Sequence, residues 1–165
     1  MSTTTEHDQK QEHDQEQETG TLRHTWLAGL GGGIGGSLAM GVAVLVMNTP
    51  TLAVAIPSLY GLAPPPSPIV GMGVHLVHRA TLGVVFAGIA GALSLDSPGA
   101  VVGAGLAWGV VTWVLLAALV MPVWLGVVGS PASPPVPNFA VPSLLWHLIY
   151  GAGLAGGSLA VESRL

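Results

Sequence analysis

The sequence contains no cysteine among its 165 residues. Disulfides, thiolate metal sites, iron–sulfur ligation and cysteine nucleophiles are therefore excluded. Charge is the next scarcity: only 7% of the residues are charged, against about a quarter in soluble domains. Eight of the twelve charged residues precede Thr25, namely Glu6, Asp8, Lys10, Glu12, Asp14, Glu16, Glu18 and Arg23. Arg79, Asp96, Glu162 and Arg164 serve all the rest, and four charges do not make a water-exposed surface. The net charge of −4 belongs to the first 23 residues, which hold six acids and two bases. No basic stripe is left to meet a nucleic acid. What the chain has in excess is apolar residues, at 50%, with a mean hydropathy of +0.67. It reads as an integral membrane protein whose partner is the lipid bilayer.

Residues 1–24 are polar, acidic and without apolar periodicity, which predicts a disordered cytoplasmic tail. Glu6-His7-Asp8-Gln9 recurs there as Glu12-His13-Asp14-Gln15. These two His–Asp pairs are read as part of a solvated tail rather than as a metal trap. A signal peptide needs a basic start, and this one is acidic, so the first apolar segment is read as a retained anchor.

The remainder, 25–165, forms one transmembrane domain. Spanning about 30 Å of hydrocarbon takes about 20 residues, and four segments suffice: 26–47, 72–95 (within 69–95), 99–121 and 143–161. The expected fold class is all-α, an integral membrane four-helix bundle. The first two and the last two spans are joined by long, uncharged, Pro-rich connections. Each carries a short apolar stretch, 52–62 or 123–128, expected to lie on the interface or fold back between helices. Asp96-Ser97-Pro98-Gly99 supplies turn and helix-start chemistry between the second and third spans. Arg23 and Arg164 flank the outer spans while neither long connection holds a basic residue. The positive-inside rule then places both termini in the cytoplasm of a multi-pass cell-membrane protein. Trp124, Trp146 and Tyr60 are expected at the outer interface and Trp26 at the inner one.

An internal repeat is visible. Leu38-Ala39-Met40-Gly41-Val42 matches Leu106-Ala107-Trp108-Gly109-Val110, and a proline-rich connection follows each copy. The run from His75 to Leu82 then matches the run from His147 to Leu154, with a histidine opening both. Two tandem helix–loop–helix units of the same orientation predict a pseudo-two-fold axis along the membrane normal.

Gly31-Gly32-Gly33-Ile34-Gly35-Gly36 satisfies a dinucleotide-binding fingerprint, but an apolar span surrounds it and no acid follows until Asp96, so that reading is discarded. Glycines four apart (Gly29/Gly33, Gly31/Gly35, Gly32/Gly36, Gly99/Gly103, Gly105/Gly109, Gly153/Gly157) read instead as close helix contact faces. These serve either the bundle itself or a homodimer or larger membrane complex.

His75, His78 and Arg79 share one helix face, and His147 occupies the place of His75 in the second copy. His75 and His147 are predicted to form a pair facing the bundle interior. Two neutral imidazoles on facing helices can ligate haem b iron or share a divalent metal. Arg79 would then pair with an anion, since Asp96 is about 25 Å down the helix. The preferred reading is plainer: the histidines at headgroup depth as hydrogen-bonding residues, Arg79 snorkelling to phosphates. A proton or ion path is a further reading. No two carboxylates can share a site, and no serine lies in a nucleophile elbow, so an enzyme is not expected.

The glycine-rich first helix, the histidine early in the second, the opening Trp146-His147-Leu148-Ile149-Tyr150-Gly151 of the last and the acidic tail form a recognisable set. With them the chain resembles small four-helix membrane proteins of unknown function from salt-adapted archaea. The resemblance spans roughly residues 29–157 and implies a fold and a halophilic habitat, with no assigned activity or site. Three functional readings follow from the whole. The first is a non-catalytic accessory or self-associating membrane subunit. The second is a haem- or metal-binding electron-transfer subunit using His75 and His147. The third is a small transporter or channel working as a dimer.

Overall fold

The computed structural model describes residues 26–164, and the acidic tail with its His–Asp pairs and Arg23 lies outside them. Four helices are long and apolar enough to cross a membrane: α1 (Trp26–Met47), α2 (Pro68–Ala92), α3 (Pro98–Val127) and α4 (Val141–Glu162). No strand occurs among the described residues. The chain is a multi-pass helical membrane protein.

Local chemistry sets the helix starts. α2 begins at Pro68 rather than at residue 72, because Ser67 accepts from the Val70 N–H and Pro68 needs no partner at the first turn. Ser97 caps Ala100 in the same way and Pro98 opens α3. α2 ends at Ala92, followed by Leu93 and a left-handed Ser94 at φ 51.

α3 differs most from expectation, running to Val127 instead of stopping at 121. It does so by loosening to π-type turns over Trp113–Val120 just before Pro122. A proline ring clashes with the carbonyl four residues earlier and supplies no N–H to it. Here that carbonyl, on Ala118, accepts instead from the Asn138 N–H at 2.9 Å, at the far end of the Pro-rich loop. The first connection uses the same device. After α1 the chain makes a π turn over Thr51–Ala55 and a short helix, Ile56–Ser58, containing Pro57. The Ala53 carbonyl, four residues before Pro57, accepts from Ser67 at 2.9 Å. Each segment then closes on a left-handed glycine, Gly61 or Gly129, both at φ 67. The bonds Leu62 N–H to Pro57 and Ser130 N–H to Leu125 complete the two caps. The apolar stretch of the first connection thus folds back, with Leu52, Ala53, Ala55 and Ile56 buried. That of the second simply extends α3.

Glycines bring the backbones together, since lipid gives helices no hydrophobic reason to associate. A Cβ on Gly33 would stand 2.8 Å from the Arg79 carbonyl of α2, and one on Gly36 2.6 Å from the Tyr150 carbonyl of α4. Gly29 also faces Gly83, while Gly32 faces Gly157. Gly105 and Gly109 of α3 press on the Gly151 and His147 backbones of α4. The helices therefore run α2–α1–α4–α3 around the bundle, and the short turn at 93–97 joins α2 to α3. The faces Gly29/Gly33, Gly32/Gly36, Gly105/Gly109 and Gly153/Gly157 are consumed inside the chain. Gly35, Gly99 and Gly103 meet nothing within 4 Å among the described residues.

Candidate functional site

Arg79, His147 and Ser143 form a buried hydrogen-bonded chain between α2 and α4. Arg79 is the twelfth of the 25 residues of α2, about 16 Å from its start at 1.5 Å per residue. It does not snorkel: its side chain is 9% exposed and turns inward. This departs from the snorkelling reading, because the guanidinium is spent inside the bundle on His147 and the Tyr150 ring.

Arg79 Nη2 donates to Nε2 of His147 at 2.8 Å. The other ring nitrogen of His147, Nδ1, donates to the Ser143 carbonyl one turn back, at 2.7 Å. This pair of bonds fixes His147 as a neutral Nδ1–H tautomer, because Nε2 must accept. Tyr150 braces the arginine from below: its hydroxyl donates to the Arg79 carbonyl at 2.7 Å. Its ring lies 4.8 Å from the guanidinium carbon, within cation–π range. Arg79 Nη1 and His75 Nε2 are buried and have no hydrogen-bond partner among the described residues.

Those two atoms belong to side chains that line a cavity of about 580 Å³. Arg79, His75, His78 and His147 line it together with apolar side chains such as Met40, Val44, Leu82, Leu116 and Val120. Thr81 and Leu82 of α2 and Leu116, Ala117 and Val120 of α3 belong to the same lining. The loop end is pinned by two bonds, Tyr60 Oη to His78 Nε2 at 2.6 Å and Trp124 Nε1 to the Leu59 carbonyl at 3.0 Å.

All four candidate residues, His75, His78, Arg79 and His147, therefore line one cavity. His75 and His147 are both buried, at 4% and 2% exposure, and each stands about two turns inside its helix. His78 is half-buried and spent on Tyr60. For iron or a divalent metal, the arrangement has a cost. Neither His147 nitrogen is free, so ligation would break the Arg79 bond or the Ser143 bond. No cluster of three or more His, Asp or Glu side chains able to hold a metal exists among the described residues.

The sequence reading missed Ser143 and the full role of Tyr150. A hint was present: Ser143 lies four residues before His147, the spacing of one helical turn. Trp146 corrects another expectation. It is 5% exposed, with its indole N–H on the Met47 sulfur at 3.2 Å, and so is a core residue rather than an interfacial anchor. Tyr60 and Trp124 are exposed at the loop end and Trp26 at the other.

No family model matches the chain, and no curated protein or solved structure is similar to it. The site must be read from its own geometry.

Proposed function

We propose that the protein is a non-catalytic membrane subunit that binds an anionic group at Arg79, in the core of the bundle. One observation carries this reading: a buried mid-helix guanidinium whose Nη1 has no partner among the described residues and whose side chain lines a cavity. A charge at such depth is costly unless it is paired. The two carboxylates among the described residues cannot serve. Asp96 lies beyond the end of α2, and Glu162 is the last residue of α4. His147 and the Tyr150 ring solvate the cation without neutralising it. A monoanion completes the site.

Two tandem repeats are the proposed origin of the architecture. Support comes from the matched carbonyl–loop bonds, Ser67 to Ala53 and Asn138 to Ala118, and from the paired glycine caps. On that alignment Arg79 replaces Gly151 and Thr81 replaces Gly153. Gly153 lets α4 touch Gly36 of α1. Thr81 has no such glycine contact and lines the cavity. The cation and part of the cavity lining thus arise from the same divergence between copies.

Accessory or self-associating behaviour is retained as part of the proposal. With most glycine faces used internally, Gly99 and Gly103 of α3 are the surface that favours it. Both termini are proposed to be cytoplasmic in the cell membrane. The haem or metal reading through His75 and His147 would require His147 to give up a bond.

The test is thermal unfolding of the full chain in neutral-lipid nanodiscs. Benzoate should raise the midpoint, while its neutral counterpart benzamide should not, and Arg79→Gln should abolish the difference. Equal effects of the two compounds, or an unchanged benzoate effect in Arg79→Gln, would overturn the anion site.

A further inference from the structure

We propose, resting on the anion-site reading, that the molecule held at Arg79 is a single-chain amphiphile with a carboxylate head, drawn from the membrane between α2 and α3. Three features of the cavity point there. The first is its size: about 580 Å³ falls in the range of roughly 300–1,000 Å³ that takes molecules of drug size. A bare inorganic anion needs little more than the ~30 Å³ share of a water molecule. A site built for such an ion would not carry this much space.

The second feature is the distribution of polarity. The one charged group, Arg79, and the three imidazoles are carried by α2 and α4, while Met40, Val44, Leu82, Leu116 and Val120 make much of the remaining lining apolar. A carboxylate head suits this site, where Arg79 Nη1 is buried without a partner among the described residues and donates to a carboxylate oxygen. A diacyl phospholipid brings a second chain to be housed in the same cavity.

The third feature is the route. At the loop end the way in is pinned by Tyr60 on His78 and by Trp124 on the Leu59 carbonyl. The seam between α2 and α3 is different. Thr81 of α2 and Leu116 and Val120 of α3 line the cavity and are also exposed at the surface of the span. No glycine pair clamps these helices together there, whereas glycines clamp α1 to α4 on the opposite side. An acyl chain already lying in the bilayer passes this seam without leaving an apolar medium.

The experiment uses the full chain in phosphatidylcholine nanodiscs and 9,10-dibromostearate, whose bromines quench tryptophan at short range. Trp124 and Trp146 both line the cavity and act as reporters. The expected result is saturable quenching, at least tenfold weaker in apparent affinity for Arg79→Gln, and absent with the methyl ester of the same chain. Ala117→Phe, in the α3 part of the lining, narrows the cavity and should weaken the dibromostearate signal. If benzoate binds the wild type and dibromostearate does not, the anion site stands and the amphiphile is wrong. If neither binds, both proposals fall. Equal quenching by acid and ester, or in wild type and Arg79→Gln, also overturns the carboxylate.

Discussion

Arg79 and His147 meet across 2.8 Å between α2 and α4, and the histidine is the acceptor in that bond. Its other nitrogen is held by Ser143, so the ring cannot turn to offer a donor. His147→Ala should leave a second guanidinium N–H without a partner at mid-helix. The expected loss of stability is about 1–2 kcal/mol, near the upper end for hydrogen bonds within membrane helices. His147→Gln, which can present an amide oxygen, should recover part of it. Reversible SDS or thermal unfolding in bicelles would read both variants, and an unchanged His147→Ala would mean that the bond contributes nothing.

The glycine contacts between α1 and α4 give a matched pair of tests on one helix. A Cβ at Gly36 would come within 2.6 Å of the Tyr150 carbonyl, whereas nothing described lies within 4 Å of Gly35. Gly36→Ala should push the helices apart and cost roughly 1–3 kcal/mol. Gly35→Ala should be neutral or slightly stabilising, because alanine is the better helix former. Equal effects would place the α1–α4 contact elsewhere.

Pro122 frees the Ala118 carbonyl, which holds the end of the second loop through Asn138. Pro122→Ala restores an N–H that competes for this carbonyl. The loop over residues 129–140 should then be cut faster by a broad-specificity protease added on its side of the membrane. No change in cleavage rate would show that Asn138 does not depend on the proline.

Ligation of haem or a metal would have to displace Arg79 or Ser143 from His147. The purified protein should therefore show no haem absorption band and no stoichiometric metal. A haem band, or a bound metal, lost in His147→Ala would establish the electron-transfer reading instead.

Topology follows from few charges and needs its own measurement. Reporters fused after Glu18, Pro66, Asp96 and Pro134 should read inside, outside, inside, outside. Any other order would invert or break the proposed orientation.

The sequence was most legible where one residue type governs an element. Scarce charge and apolar length marked four spans, and Ser67-Pro68 and Ser97-Pro98 mark two helix starts. The histidines and Arg79 were also visible, because such side chains stand out in an apolar span. The π turns before Pro57 and Pro122 were not, since they depend on loop residues returning to meet freed carbonyls. Nor was the inward turn of Arg79, which depends on His147 of another helix being placed to accept from it. The glycine faces were legible as contact surfaces, with the bundle itself and a second molecule both open as partners. Assigning them required knowing that Gly36 meets Tyr150 and Gly153 of α4 rather than a second molecule.

The central claim is that Arg79 binds an anion, and equilibrium binding of radiolabelled benzoate to the nanodisc-embedded full chain measures it directly. The account predicts one saturable site per chain, insensitive to excess benzamide and missing in Arg79→Gln. No saturable site in the wild type, or an identical one in Arg79→Gln, would contradict it.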